Sequence, residues 1–232
     1  MFGGETQGEY MIKNVMASIV ATVMFGAEAM ADFIVVNNPV VDTVGFYSDA
    51  FDSNGAYTYA QSGAQGFDLE DSYTTSSLKW WGSMNGFNGQ NLSNVDCFQI
   101  IVWNTGFETQ VTNQIIDLEN ITVTATGETN FFGEAIYEFY VPIAFQISSG
   151  SYFMNIGAQL NDAAGDQFIW SQGQNVQDFW FTDVNGKYTW GDWRPLPAFI
   201  GNTAGGAFVL SAPAPGAIAL LGMAGLAGRR RR

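Results

Sequence analysis

The chain has no histidine, one cysteine and only eight lysines and arginines, four of them at the extreme C-terminus. Without histidine there is no Ser-His-Asp or Cys-His nucleophile pair, no imidazole general base and no histidine zinc ligand. Enzymatic chemistry is then confined to a carboxylate pair of the glycosidase kind or to a metal held by oxygen ligands. A lone cysteine excludes an intramolecular disulfide framework. Cys97 lies in the run Cys97-Phe-Gln-Ile-Ile-Val-Trp103, where a small buried apolar residue is expected rather than a reactive thiol. Sustained helical periodicity is missing from residues 32–211.

What is present is first of all an address at each end. Met11 to Ala31 has Lys13 as a basic start, an apolar stretch from Val15 to Gly26, and Ala29-Met30-Ala31 as a small-residue cleavage triplet. This pattern predicts a signal peptide over residues 1–31 cut after Ala31, with Met11 an alternative start behind a polar, acidic leader. Residues 212–232 hold Pro213-Ala214-Pro215, an apolar run from Gly216 to Gly228, and Arg229, Arg230, Arg231 and Arg232. The prolines hold the chain out of helix, and the apolar run is shorter than the ~20 residues a spanning helix needs. The arginines stay cytoplasmic by the positive-inside rule, so the tail reads as a short helical, temporary inner-membrane anchor.

These ends resemble the PEP-CTERM class of exported bacterial proteins. Pro213, Pro215, the glycine-rich apolar run and Arg229 to Arg232 match its tail, with Ala214 where glutamate is usual. The resemblance implies two processing partners, signal peptidase and an exosortase-type membrane protease. It also implies delivery to the cell surface or to an extracellular, biofilm-like matrix.

Between the ends lies a segment of single-domain size, large enough for a core without disulfides. It carries Lys79, Lys187 and Arg194 against 19 acidic residues, a formal −16 compared with −14 for the whole chain. Such a surface repels nucleic-acid phosphates and anionic lipid, which excludes nucleic acid as a partner. Alternation marks strands at Ile121 to Thr126 and Tyr137 to Val141, the latter ended by Pro142. Further strands are expected at 77–82, 96–104, 151–159, 167–171, 178–182 and 207–211. Asn185-Gly186 predicts a two-residue hairpin joining Trp180-Phe181 to Tyr188–Trp190. Short strands, 27 glycines and 15% aromatics give the expected fold class: all-β, a single antiparallel β-sandwich.

The body also resembles a recurrent group of sorting-tailed exported domains. The shared features are the acidic Phe67-Asp-Leu-Glu-Asp71, Leu78-Lys-Trp80-Trp81-Gly82, Phe98 to Trp103, Tyr137-Glu-Phe139 with Pro142, Gly150-Ser-Tyr152 to Ile156, and Ala207-Phe208. What this resemblance implies is a jelly-roll-like sandwich with no assigned catalysis.

Several residue groups are candidates for function. Trp80 and Trp81 are adjacent on a strand and must face opposite ways, one into the core and one exposed or under a loop. Trp190-Gly-Asp192-Trp193-Arg194-Pro195 combines two rings, a carboxylate and a guanidinium, the chemistry of a carbohydrate contact. The competing and preferred expectation is that these rings cap the sandwich, with Arg194 on Asp192 or Trp193. Asp162 to Asp166 and Asp49 to Asn54 are acidic enough for calcium but lack a loop motif, and read as turns. No cofactor is therefore expected. Glu134 with Glu138, on one strand, would sit too far apart for glycosidase work, and Asp117 beside Glu119 could not flank a bond. Asn91-Leu-Ser93 and Asn120-Ile-Thr122 match a glycan-acceptor pattern that recurs by chance. The function expected is a non-enzymatic, structural or adhesive exported protein. The alternatives are a carbohydrate-binding module for extracellular polysaccharide, then a glycosidase or lyase on a jelly-roll scaffold.

Overall fold

The protein, seen here as a computed structural model, is described over residues 31–40, 45–52, 57–85, 92–160, 167–174, 179–183, 194–195 and 206–213. Its strands in chain order are β1 (Ala31–Asn37), β2 (Phe46–Tyr47), β3 (Asp49–Asp52), β4 (Tyr57–Leu69), β5 (Tyr73–Thr74), β6 (Ser77–Asn85), β7 (Val95–Asn104) and β8 (Gln110–Asp117). They continue as β9 (Thr122–Thr129), β10 (Ala135–Pro142), β11 (Gln146–Ile147), β12 (Gly150–Leu160), β13 (Gln167–Trp170), β14 (Phe179–Asp183), β15 (Arg194–Pro195) and β16 (Phe208–Pro213). The expected signal helix and C-terminal helix fall outside the described residues, apart from Ala31 at the start of β1 and Pro213 at the end of β16. By contacts the chain divides into Phe33–Ser211 and a second unit, Met1–Asp32 with Ala212–Arg232.

Two seven-stranded sheets make the fold, and β5 and β11 pair as a separate two-stranded sheet. The first runs β1-β16-β6-β10-β9, with β13 added to β6 and β2 to β13. The second runs β15-β14-β4-β3-β12-β7-β8, and β4 also pairs β12 directly. Antiparallel ladders dominate, but β3 lies parallel to β12, which corrects the purely antiparallel expectation. The cause is a split in the second sheet. Ala64 to Leu69 of β4 pair Asn155 to Gly150 of β12, after which the two strands diverge and β3 fills the gap. Ser48 marks where the chain passes from one sheet to the other. Its amide donates to Phe168 O of β13 at 3.0 Å, while its carbonyl accepts from Ala158 N of β12 at 2.9 Å. Its hydroxyl donates to Ile156 O at 2.6 Å.

The two sheets share one apolar core. Alternation along β6 sends Leu78, Trp80 and Met84 inward, and β10 sends Phe139 and Val141 the same way. Trp80 stacks on Phe139 with centroids 5.3 Å apart and meets Phe98 of the opposite sheet edge-on at 5.1 Å. Phe168 closes the box, 5.0 Å from Phe98 and 5.9 Å from Phe139. Each such pair adds about 0.5–1.5 kcal/mol beyond area burial. Gly82 explains the glycine after the tryptophan pair: a Cβ there would come within 2.4 Å of the Phe168 ring. Trp81 faces away from Trp80, as expected, and is buried against Ile136, Ala207 and Val209. Ile121, just before β9, and Val123 on it turn inward, but Ala125 is exposed on this strand at the end of its sheet.

Strand β4 has no counterpart in the expected strand list. Ser62, Gly63, Ala64 and Gln65 are all buried, so both faces of the strand are covered and no polar-apolar alternation appears. A Cβ at Gly63 would lie 2.4 Å from the Phe179 ring and 2.8 Å from Phe46, so the close approach of both rings requires glycine.

Candidate functional site

The outward face of the second sheet carries a second aromatic cluster. Strand parity places Trp103 of β7, Phe153 of β12, Ala64 of β4 and Trp180 of β14 on the side away from the core. Phe107 joins them from the β7–β8 turn and stacks on Phe153 at 4.5 Å. Trp180 lies 5.6 Å from Phe107 and 6.0 Å from Phe153, and Trp103 lies 6.2 Å from Phe107. Phe153 is buried, while the two tryptophans and Phe107 keep part of their surface in solvent.

The turn that supplies Phe107 is strained. Its φ is 60°, a left-handed conformation that costs a bulky residue about 1–2 kcal/mol. Asn104 pins the turn: its carbonyl accepts from Phe107 N at 3.1 Å, and its Oδ1 accepts from Glu108 N at 3.1 Å and Thr109 N at 3.0 Å. The strain is retained because it folds the ring back over the sheet.

Side-chain amides flank the rings. Backbone register aligns Trp180, Ala64, Asn155, Ile101 and Asn113 in one row across five strands. Asn155 donates through Nδ2 to Ser62 Oγ at 2.7 Å and to Gly63 O at 2.6 Å. Its Oδ1 is buried with no hydrogen-bond partner among the described residues. Toward β8, Gln99 Nε2 donates to Asn113 Oδ1 at 2.9 Å, and Asn113 Nδ2 donates to Gln110 Oε1 at 3.1 Å. The face therefore combines aromatic surface with a line of amide donors and acceptors and has no charged group in that row.

Of the carbohydrate candidates, Trp190, Asp192 and Trp193 lie outside the described residues. Arg194 falls in β15, with its backbone opposite Phe181 while Pro195 stands opposite Trp180. The expected hairpin is corrected here. A two-residue turn at Asn185-Gly186 would set Phe181 opposite Trp190, whereas the ladder uses Arg194 and leaves residues 182–193 between the paired positions. The ladder thus brings Arg194 to the β14 edge of the aromatic face, beside the strand that carries Trp180.

The other candidates separate. Asp49 to Asp52 form strand β3 rather than a turn, because the split in the sheet offers them pairing on both sides. Asn54 and Asp162 to Asp166 lie outside the described residues, as do Ala29, Ala214, Pro215 and Arg229 to Arg232. Glu134 precedes β10 rather than sharing its strand with Glu138; it is buried and accepts from Asn130 Nδ2 at 2.6 Å. Glu138 instead pairs with Lys79, Nζ to Oε1 3.0 Å. Asp117 ends β8 while Glu119 sits in the following 3₁₀ turn, so these two also occupy different elements. Asn120 and Thr122 are exposed, and Asn91 is outside the described residues. Cys97 is buried as expected, with its thiol 3.0 Å from Gln159 Oε1. Burial pushes that thiol up to about 11, helped by the negative charges of Asp117 and Asp96.

The outer cluster is what sequence reasoning missed, although a signal existed. Phe153 and Trp103 alternate with core residues Met154 and Val102, so apolar side chains on both parities of β7 and β12 marked a second covered face. Searches against protein-family models and against curated proteins find no match to this chain.

Proposed function

We propose that this chain is an exported, non-enzymatic protein of the cell surface or extracellular matrix, with a jelly-roll-like sandwich as its body. Signal peptidase cuts after Ala31, and an exosortase-type membrane protease acts near Pro213-Ala214-Pro215 after the short apolar run has held the chain transiently at the inner membrane. Supporting this is one observation: β1 begins at Ala31 and β16 ends at Pro213, so a cut after Ala31 takes only the first residue of β1 and a cut beyond Pro213 leaves β16 whole. A body of formal charge −16 resists precipitation and tolerates the salt and divalent cations of a polysaccharide matrix. Cell fractionation tests the proposal. The chain is expected outside the cytosol, and a cytosolic chain with Met11 to Ala31 intact would contradict it.

Carbohydrate binding is the second proposal, favoured by the outward face of the second sheet. Sugar rings stack on aromatic faces and their hydroxyls pair with amides, and Trp180, Trp103 and the Gln99–Asn113–Gln110 amide line supply both, with Arg194 on the strand next to that of Trp180. A glycan array comparing wild type with Trp180→Ala and Trp193→Ala is expected to show signal lost in at least one variant. Equal binding by all three, or none by any, would remove the site.

A further inference from the structure

The geometry points to strand β8 as a self-association edge, pairing antiparallel with β8 of a second copy of this chain. Among the described strands β8 ends its sheet, so one side of its ladder faces outward. Residues 110–116 contain no ionisable side chain, no proline and no glycine, in a molecule of formal charge −14. Ile115 is 61% exposed on this strand. A neutral, β-prone edge of this length is the pattern that pairs with other strands unless it is guarded.

The edges β15 and β9 are guarded. At the far side of the same sheet, β15 is two residues long and ends in Pro195, which has no amide to donate. In the first sheet β9 carries Glu128, has Gly127 at φ 81°, and its ladder with β10 shifts register between Ala135 and Tyr137. On β1 an acid, Asp32, stands near the start, ahead of exposed Phe33 and Val36. The ladder of β8 shifts register only at its Trp103 end and runs regularly from Thr112 to Asp117.

A second copy is the occupant that the charge distribution selects. Two molecules of the same strong negative charge approach best where neither presents an acid, and the stretch from Gln110 to Ile116 is such a strip. A two-fold axis through Asn113, perpendicular to the sheet, makes the contact isologous, sets Thr112 beside Gln114 of the second copy and keeps both sheets' core faces on one side. Edge pairing over eight residues covers less than the ~800 Å² per partner of a standard interface, so the dimer is weak and forms where copies are concentrated. The pairing does not rest on export or on glycan binding, neither of which is read by the test, although its strip shares Gln110 and Asn113 with the amide line.

Sedimentation velocity on the full-length chain over a ~100-fold concentration range tests it. Wild type is expected to shift from monomer to dimer, Ile115→Lys to raise the dissociation constant at least ~10-fold, and Ala125→Lys on β9 to leave it unchanged. Gln114→Lys carries the test if Ile115→Lys lowers the melting temperature. A wild type that stays monomeric, or a dimer that Ile115→Lys and Gln114→Lys leave intact, would overturn the inference. Equal weakening by Ala125→Lys would do the same.

Discussion

The two aromatic clusters are built from the same residue types and do different work. Inside, Trp80, Phe98, Phe139 and Phe168 come from both sheets, are fully buried and sit in relaxed strands. Outside, Trp103, Phe153 and Trp180 line one sheet, and the fourth ring, Phe107, is added through a backbone conformation that phenylalanine disfavours. A cluster that served only to hold the sheets together would gain nothing from such a turn. The inner cluster carries the fold, and the outer one is a surface the fold maintains at some cost.

Mutations can sharpen that contrast, beginning with the largest effect. Trp80→Ala removes a fully buried indole shared by both sheets and should destabilise by about 3–5 kcal/mol, lowering the melting temperature by about 10 °C. Chemical and thermal denaturation read this directly. Trp180→Ala, on the half-exposed cluster, should cost about 1–2 kcal/mol, since only part of the ring leaves a packed environment. Finding the two losses equal would erase the distinction between the clusters. Phe107→Gly trades ring packing against release of the left-handed strain, so the net loss should be about 1 kcal/mol or less, with the near-ultraviolet circular dichroism of the tryptophans changed.

The smallest effect concerns Cys97 and depends on pH. Its folded pKa, about 11, lies above the ordinary 9.0, so folding favours the neutral thiol. That preference is fully present below pH 9 and is lost as pH rises through about 11, because the unfolded thiol ionises first. Urea unfolding from pH 8 to pH 11 should show a fall in stability that Cys97→Ala lessens. A thiol reagent at pH 8 should label wild type only after unfolding.

How much of this was legible in the sequence follows from how many faces each strand buries. β6, β10 and β12 face the core with every second residue, and their alternation or apolar content announced them. The opposed directions of Trp80 and Trp81 followed from parity alone. β4 stayed hidden because its centre, Ser62-Gly-Ala-Gln65, is covered on both sides by larger neighbours and so needs small residues. β3 stayed hidden because Asp49 and Asp52 are turn formers locally, and only the split between β4 and β12 makes them a strand. The outer aromatic face was readable in principle from Phe153 and Trp103. Its Phe107 was not, since nothing local marks a phenylalanine for a left-handed turn. Register beyond β14 was also out of reach, because Asn185-Gly186 favours a turn without saying which strand pairs across it.

The central claim is that this sandwich is cargo, trimmed at both ends on its way out of the cell. Intact-mass measurement of the mature chain tests it most directly. Asp32 should be the first residue, and the last should fall close to Pro215, with the apolar run and the four arginines gone. A mature chain that still carries Met11 to Ala31 and Gly216 to Arg232 would contradict the account.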